Sequence, residues 1–486
     1  MQRPQNTLAL PAADVVKKTG DELSGMADRR QMMLRAPILP LLIKLALPTI
    51  IVLLVQAMVG VAETCFVSFL GTDALAGTTL VLPVLMLMQT MSNGGIGGGV
   101  ASAIARAIGA GRKADADALV LHALVIAVGF GAAFSALELL AGRLLYHALG
   151  GTGDALAAAL TYGHVVFGGA CLVWAVSLLA AVLRGTGNVV VPAAVTLGSV
   201  FVVLPLSPVL IFGVGPIGGL GVAGAGVAVV VYYALALVVL VAYLRSGRST
   251  VRLSLAGRQL AWRLFADILR TGGLAAIGTV QSNLTVMLVT GIVGLFGIPA
   301  LAGYGIASRL DYLLIPAIFG LGSAALTMVG TNIGAGEIKR AERIVWISAA
   351  VAAALTETVG LAAALFPRVW LGLFTAEADV LAAGSLYLRT VAPFYGFIGV
   401  GLLLYFAGQG AGKVGWPVIA GFVRLIVAAG GGWYLTAQAG SDLDTLFRVV
   451  LLASVAYGAI PLVAFALGSR KAPPRASVSS TIAETE

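Results

Sequence analysis

Twelve stretches of this chain are each apolar and long enough to cross a bilayer as one helix, and nothing else in the sequence constrains the fold as much. The hydrocarbon core takes roughly 20 apolar residues per helix. The stretches lie near residues 39–68, 76–104, 117–141, 156–183, 189–213 and 220–244, then near 274–295, 300–330, 344–366, 380–407, 414–436 and 446–468. In lipid every backbone N–H and C=O needs a partner inside the chain, which leaves helices or a closed barrel. The alternating pattern of barrel strands is absent. Charged residues make up 10% of the 486 positions, against about 25% in soluble globular chains. The expected fold class is an all-α integral membrane protein with twelve transmembrane helices. Its parts are a cytoplasmic N-terminal tail (1–37), a first six-helix lobe (38–244), a cytoplasmic linker (245–270), a second lobe (271–468) and a cytoplasmic C-terminal tail (469–486).

Charge sets the expected orientation. The net charge is +9, yet no basic soluble domain exists to bind nucleic acid, and no such partner is expected. With a cytoplasmic N-terminus, the inside segments are both tails and the loops after helices 2, 4, 6, 8 and 10. With their helix ends, Lys44 included, they hold 24 of the 30 Lys and Arg. The other six are Arg143, Arg368 and Arg448 in outside loops, and Arg309, Arg389 and Arg424 within helices. That bias is the positive-inside pattern. It places both termini in the cytoplasm and the protein in an inner, cytoplasmic-type membrane. Residues 1–35 are polar, without the apolar core of a cleaved signal, and read as a flexible tail with an interfacial helix near Met32 and Met33. Cys65 and Cys171 lie in apolar segments and give neither a disulfide framework nor metal-ligand spacing.

A shift of 225 residues brings the halves into register. Gly109-Ala110-Gly111 falls on Gly334-Ala335-Gly336, Arg143 on Arg368, and Leu156-Ala157-Ala158 with Tyr162 on Leu381-Ala382-Ala383 with Tyr387. Gly185, Gly187 and Pro192 fall on Gly410, Gly412 and Pro417. With 226, Gly71 and Ala74-Leu75-Ala76-Gly77 meet Gly297 and Ala300-Leu301-Ala302-Gly303. Each copy has an even number of helices, so the two run the same way through the membrane. They are expected as lobes related by a pseudo-twofold axis along the membrane normal, with a cavity between them suited to alternating access.

Within this frame the motifs resemble the multidrug and toxic compound extrusion (MATE) family, over about residues 36–468. Helix 1 opens with the stretch Pro37-Ile38-Leu39-Pro40-Leu41-Leu42-Ile43-Lys44-Leu45-Ala46-Leu47-Pro48, and ends with Gly60-Val61-Ala62-Glu63-Thr64 and Phe69-Leu70-Gly71. The Gly-Ala-Gly loops follow helices 2 and 8, and Arg184-Gly185-Thr186-Gly187-Asn188 follows helix 4. Ile211 to Pro216 and Gly221 to Gly226 link helices 5 and 6. The resemblance implies a secondary antiporter that exports amphipathic, often cationic small molecules against inward H⁺ or Na⁺ flow, with no cofactor and no enzymatic step. The family's helix 1 acid, usually Asp before Thr, is here Glu63. Members that bind a cation in the first lobe add an Asn, an Asp and a Thr, where this chain has Val203, Ser207 and Val229. The acids of another branch are replaced by Gln281-Ser282 and Gly396. A dehydrated Na⁺ wants several oxygen ligands, whereas proton coupling needs one titratable group, so H⁺ is favoured over Na⁺.

Ionisable residues at membrane depth are costly and usually mark ion or substrate pathways. Glu63 is the candidate ion-coupling residue; a solvated structural carboxylate is the alternative. Arg309 and Asp311 in helix 8, Glu357 in helix 9 and Arg424 in helix 11 form either a second coupling site or a structural ion-pair network. Arg309 and Asp311 project about 200° apart on a helix, so each should meet a different neighbour. Glu138 reads as solvated near the outer end of helix 3, and His164 and Arg389 as structural. Gln56, Gln281 and Asn283 are candidate cavity hydrogen-bonders, and Met86, Met91 and Met287 a candidate adaptable wall. The Gly94-Gly95-Ile96-Gly97-Gly98-Gly99 run lacks the strand and Lys-Ser/Thr ending of a phosphate loop, so close packing or bending explains it. A flippase for a lipid-linked sugar precursor is the nearest rival reading. A membrane prenyltransferase would need an Asp-rich motif and a channel a repeated filter or charge ring; neither is present. The protein is expected to act as a monomer in the bilayer.

Overall fold

The computed structural model describes residues 26–214, 217–254, 260–438 and 440–470. The outer parts of both expected tails, residues 1–25 and 471–486, lie outside the described residues. Twelve membrane-spanning units follow one another. The first six are α1 (Ile38–Ser68), α2 (Thr72–Gly109), α3 (Lys113–Ala148), α4 (Gly153–Gly168 and Ala170–Gly185, bent by 48°), α5 (Val190–Phe212) and α6 (Val222–Arg245). The second six are α7 (Trp262–Gly294), α8 (Ile298–Gly334), α9 (Ile338–Leu365), α10 (Ala378–Ala411), α11 (Gly415–Gln438) and α12 (Leu443–Arg470). The one sheet among the described residues is a pair of two-residue strands, β1 (Gly213–Val214) and β2 (Ile217–Gly218), between α5 and α6.

Packing repeats as the sequence does. In the first lobe α1 lies on α5, α2 and α3 on α4, and α6 on both α4 and α5. The second lobe reproduces each pairing with α7 on α11, α8 and α9 on α10, and α12 on α10 and α11. Each lobe also breaks its fourth helix at one repeat position. The first uses Gly168-Gly169, and the second a 3₁₀ turn over Ala392–Phe394 containing Pro393. Both are recognised causes of a kink.

The lobes meet through α1 against α8, α2 against α7, and α2 against α8. Contact concentrates at the Lys- and Arg-rich end, where small residues let backbones touch. A Cβ on Gly99 would stand 2.7 Å from the Cα of Gly272, and one on Gly95 2.9 Å from the Cα of Ala276. The glycine run therefore serves close packing. It packs against α7, and its first two glycines end a π-helical turn over Met91–Gly95 that widens α2. Across the same interface Arg106 pairs with Asp267 at 2.7 Å and donates to Ser102, which donates to the carbonyl of Gln409.

Two polar segments are more ordered than their composition suggests. Residues 26–35 form the helix expected near Met32 and Met33, but Met33 is 2% exposed and packs into the protein instead of lying at a lipid interface. The expected 245–270 linker ends early, because α7 starts at Trp262. Its described part docks on α3. The Arg252 N–H donates to Asp117 at 2.9 Å, Lys113 Nζ to the Thr250 carbonyl at 3.1 Å, and the Ala261 N–H to His122 Nε2 at 2.9 Å.

Candidate functional site

Each lobe carries a membrane-depth carboxylate beside an equivalent tyrosine. In the first lobe Glu63, half-buried on α1, faces Tyr162 of α4 and Tyr232 and Tyr233 of α6, all within its electrostatic reach. Tyr232 and Tyr233 meet edge to face at 4.9 Å. Gln56, two turns before Glu63 on α1, donates from Nε2 to the Tyr232 hydroxyl at 3.2 Å. Glu63 itself has no hydrogen-bond or ion-pair partner among the described residues. Val203 and Ser207 are both buried, at 2% and 1% exposed.

The second-lobe group is more enclosed. Tyr387, the repeat equivalent of Tyr162, donates its hydroxyl to Asp311 Oδ2 at 3.0 Å. The buried Tyr395 hydroxyl neighbours the same Asp311 carboxylate. Tyr304 meets Tyr387 edge to face at 5.1 Å, and Phe447 closes on both rings. Asp311, Tyr304, Tyr387 and Tyr395 line a cavity of about 290 Å³ between α7, α8, α10, α11 and α12, with Thr90 and Gly94 of α2 in its wall. A π-helical turn at Ile426–Gly431 follows Arg424 at its edge. Such turns often occur at functional sites; here one borders the cavity from α2 and one from α11.

The expected four-residue ion-pair network is not formed. Asp311 and Arg424 reach one cavity and interact electrostatically, without an ion pair within 4 Å. The Arg424 guanidinium lies 5.3 Å over the ring of Tyr457. Arg309, turned away on the opposite face of α8, lies 5.6 Å over Phe374 instead. Glu357 Oε2 accepts the Gly396 N–H at 2.8 Å, a helix-to-helix bond between α9 and α10. The two-residue spacing already required Arg309 and Asp311 to part; which partners they would find depended on tertiary packing.

The candidate substrate contacts divide as well. Gln281 and Asn283 line the second-lobe cavity, and Gln281 also donates to the Val418 carbonyl at 3.1 Å. Met91 lines a smaller apolar recess of about 280 Å³ with Gln281 and Phe422. Met86 and Met287 are exposed, at 54% and 61%, and line neither space. Gln56 belongs to the Glu63 cluster. Glu138 differs from its expected solvated setting. It is 3% exposed, takes a 2.8 Å hydrogen bond from the Tyr146 hydroxyl, and fits because α3 runs on to Ala148 and Gly142 and Gly163 leave room. His164 and Arg389 are exposed. The tyrosines around both carboxylates were not singled out from sequence; the match of Tyr162 to Tyr387 in the repeat was the signal that pointed to them.

Comparison with known proteins agrees with this architecture. The MatE family model matches residues 48–209 and 275–433, one segment in each lobe. The chain is 25% identical over 465 residues to the FAD transporter of Shewanella oneidensis, covering 95% of this chain and 100% of that one. It is 26% identical over 387 residues to the probable multidrug resistance protein NorM of Thermotoga maritima, covering 80% and 83% respectively. Among solved structures, the fold is similar to an outward-facing multidrug resistance MATE transporter of the MOP superfamily, with a TM-score of 0.80 at 23% identity over 90% of this chain. A MOP superfamily transporter from Pyrococcus furiosus gives a TM-score of 0.81, also at 23% identity. With a family match across both lobes and a duplicated twelve-helix frame, the chain belongs to the MatE family of membrane transporters.

Proposed function

We propose that this protein exports amphipathic, drug-like molecules by alternating access in exchange for H⁺, with Glu63 as the coupling group. One observation carries the reading. Glu63 sits at membrane depth among tyrosines, with no cation, hydrogen-bond donor or ion pair satisfying it among the described residues. A lone carboxylate of this kind can bind either a proton or a cationic substrate, and such competition is sufficient to couple two opposed flows. The buried Val203 and Ser207 occupy positions where family members with a first-lobe cation site carry Asn and Asp, which favours H⁺ over Na⁺. The relatives named as multidrug resistance proteins support export of drug-like compounds. The lobes are closed at the Lys- and Arg-rich end, which the positive-inside pattern assigns to the cytoplasm; the arrangement suits the state that releases substrate outward.

The flippase reading for lipid-linked sugars calls for several arginines around the cavity. Of the three arginines within the predicted helices, Arg424 alone lines it, so export of drug-like molecules is preferred.

Ethidium efflux from proteoliposomes tests the proposal. With an imposed pH gradient, efflux should proceed without Na⁺ and be lost in Glu63→Gln, while the variant still folds and inserts. Efflux driven only by a Na⁺ gradient would reject proton coupling, and full-rate efflux in Glu63→Gln would reject the role of Glu63.

A further inference from the structure

We propose that His122 is a pH-sensitive latch between the lobes: the neutral ring holds the start of α7 on α3, and protonation releases it. The inference concerns regulation at the Lys- and Arg-rich end and depends neither on the coupling ion nor on Glu63. His122 lies on α3 in the first lobe and is 1% exposed. Its Nδ1 stands 2.8 Å from the Ala118 carbonyl oxygen. Its Nε2 stands 2.9 Å from the backbone nitrogen of Ala261, the residue that caps α7 in the second lobe. A carbonyl only accepts and a backbone N–H only donates, so these partners fix both ring nitrogens. Nδ1 carries the hydrogen and Nε2 the lone pair, which is the neutral ring. An imidazolium would turn a second N–H toward that of Ala261, losing the hydrogen bond and setting two donors face to face.

The surroundings offer a charged ring little in exchange. On α3, Asp115 is held by Arg112 and Arg263, and Asp117 by Lys113 and the Arg252 N–H. On α7, Asp267 is held by Arg106 of α2, which leaves the cation Arg270. The linker adds Arg248 and Arg252, and the adjoining half of α4 (Ala170–Gly185) adds Arg184, all cations. At this end of the molecule these elements hold no free carboxylate among the described residues. The Phe265 ring, centred 4.5 Å away, attracts a cation weakly, but the line of Nε2 is taken by the Ala261 N–H. The docked state therefore selects the neutral ring, so the latch holds at high pH and weakens as pH falls. Histidine is the side chain whose ordinary titration lies in the physiological range. The positive-inside pattern assigns this end to the cytoplasm, so an acid cytoplasm would loosen α7 from α3 and favour parting of the lobes there.

Double electron–electron resonance on the full-length chain in lipid nanodiscs tests the latch. Spin labels replace two exposed residues, Ala110 at the end of α2 beside α3 and Trp262 at the start of α7, in a Cys65→Ser, Cys171→Ala background. Distances are compared at about pH 8 and about pH 5.5, either side of the usual histidine range. With His122 present, a longer-distance population should grow roughly tenfold at the lower pH, the scale of one buried hydrogen bond exchanged for opposed donors. His122→Gln keeps a neutral acceptor near the Nε2 position and should hold the short distance at both pH values. His122→Leu offers no acceptor and should show the longer population at both. Glu63 and Asp311 are the same in every sample, so their titration cannot imitate a response that His122→Gln removes. A distribution unchanged by pH with His122 present, or a pH response that persists in His122→Gln, would overturn the proposal; a histidine that merely fills the core gives no such response. Should the variants fail to fold, ¹⁵N labelling of the three histidines reads the unsubstituted chain by nuclear magnetic resonance. At about pH 8 His122 must then show a hydrogen on Nδ1 and none on Nε2, and the opposite tautomer or a charged ring would equally end the proposal.

Discussion

Glu138 shows how a carboxylate can sit in the hydrocarbon region without being part of a transport path. Its Oε2 accepts the Tyr146 hydroxyl at 2.8 Å, while glycines at 142 and 163 leave room for the pair between α3 and α4. Tyr146→Phe removes the donor and leaves both carboxyl oxygens unsatisfied. It should lower stability by about 1–3 kcal/mol, read as a drop in thermal unfolding temperature in detergent. Adding Glu138→Leu to that variant should recover part of the loss, since two apolar partners leave no orphan; no drop for Tyr146→Phe would count against the pairing. At this scale the sequence was only partly informative. Glu63 and Asp311 stood out because a charge in an apolar run is conspicuous. The tyrosines around them did not, because a Tyr in a membrane helix is unremarkable until its neighbours are known. Burial of Glu138 depended on the true length of α3, beyond the reach of composition.

Elements were far more legible than side chains. A run of about 20 apolar residues has one solution in lipid, so the twelve spans and their order follow from the sequence. What lay beyond it were departures from regular helix: the π-helical turns at Met91–Gly95 and Ile426–Gly431, and the break in α4 at Gly168-Gly169. Each occurs where glycine lets the backbone shift, yet many other glycines here sit in regular helix. Gly99 shows what such a residue does. It brings α2 against Gly272 of α7, where an added Cβ would come within 2.7 Å of backbone. Gly99→Val should therefore force α2 and α7 apart at the Lys- and Arg-rich end. In a Cys65→Ser, Cys171→Ala background carrying Ala276→Cys, labelling by a membrane-impermeant maleimide should rise roughly tenfold with the added valine, the scale of a shift of 1–2 kcal/mol between states. Unchanged labelling would mean that the neighbouring helix absorbs the methyl groups without opening.

For the whole molecule, alternating access requires the seal at the Lys- and Arg-rich end to separate, and the helix over residues 26–35 crosses it. On the first-lobe side Arg30 Nε donates to the Gly109 carbonyl at 2.9 Å, and the buried Met33 packs over Gly187. Against the second lobe Asn332 Nδ2 donates to the Met33 carbonyl at 3.2 Å, and Arg340 donates to the Ala36 carbonyl. The lobes cannot part at this end while both sets of contacts persist, so this segment stabilises the sealed state relative to the open one. Asn332→Ala with Arg340→Ala removes the two second-lobe hydrogen bonds, together worth about 1–3 kcal/mol, and should raise the open population by roughly tenfold. Spin labels placed one in each lobe at this end should then show a longer-distance component that is minor in the wild type. If the distance distribution stays the same, the N-terminal helix follows one lobe as the other moves, and the seal rests on the α1–α8, α2–α7 and α2–α8 contacts.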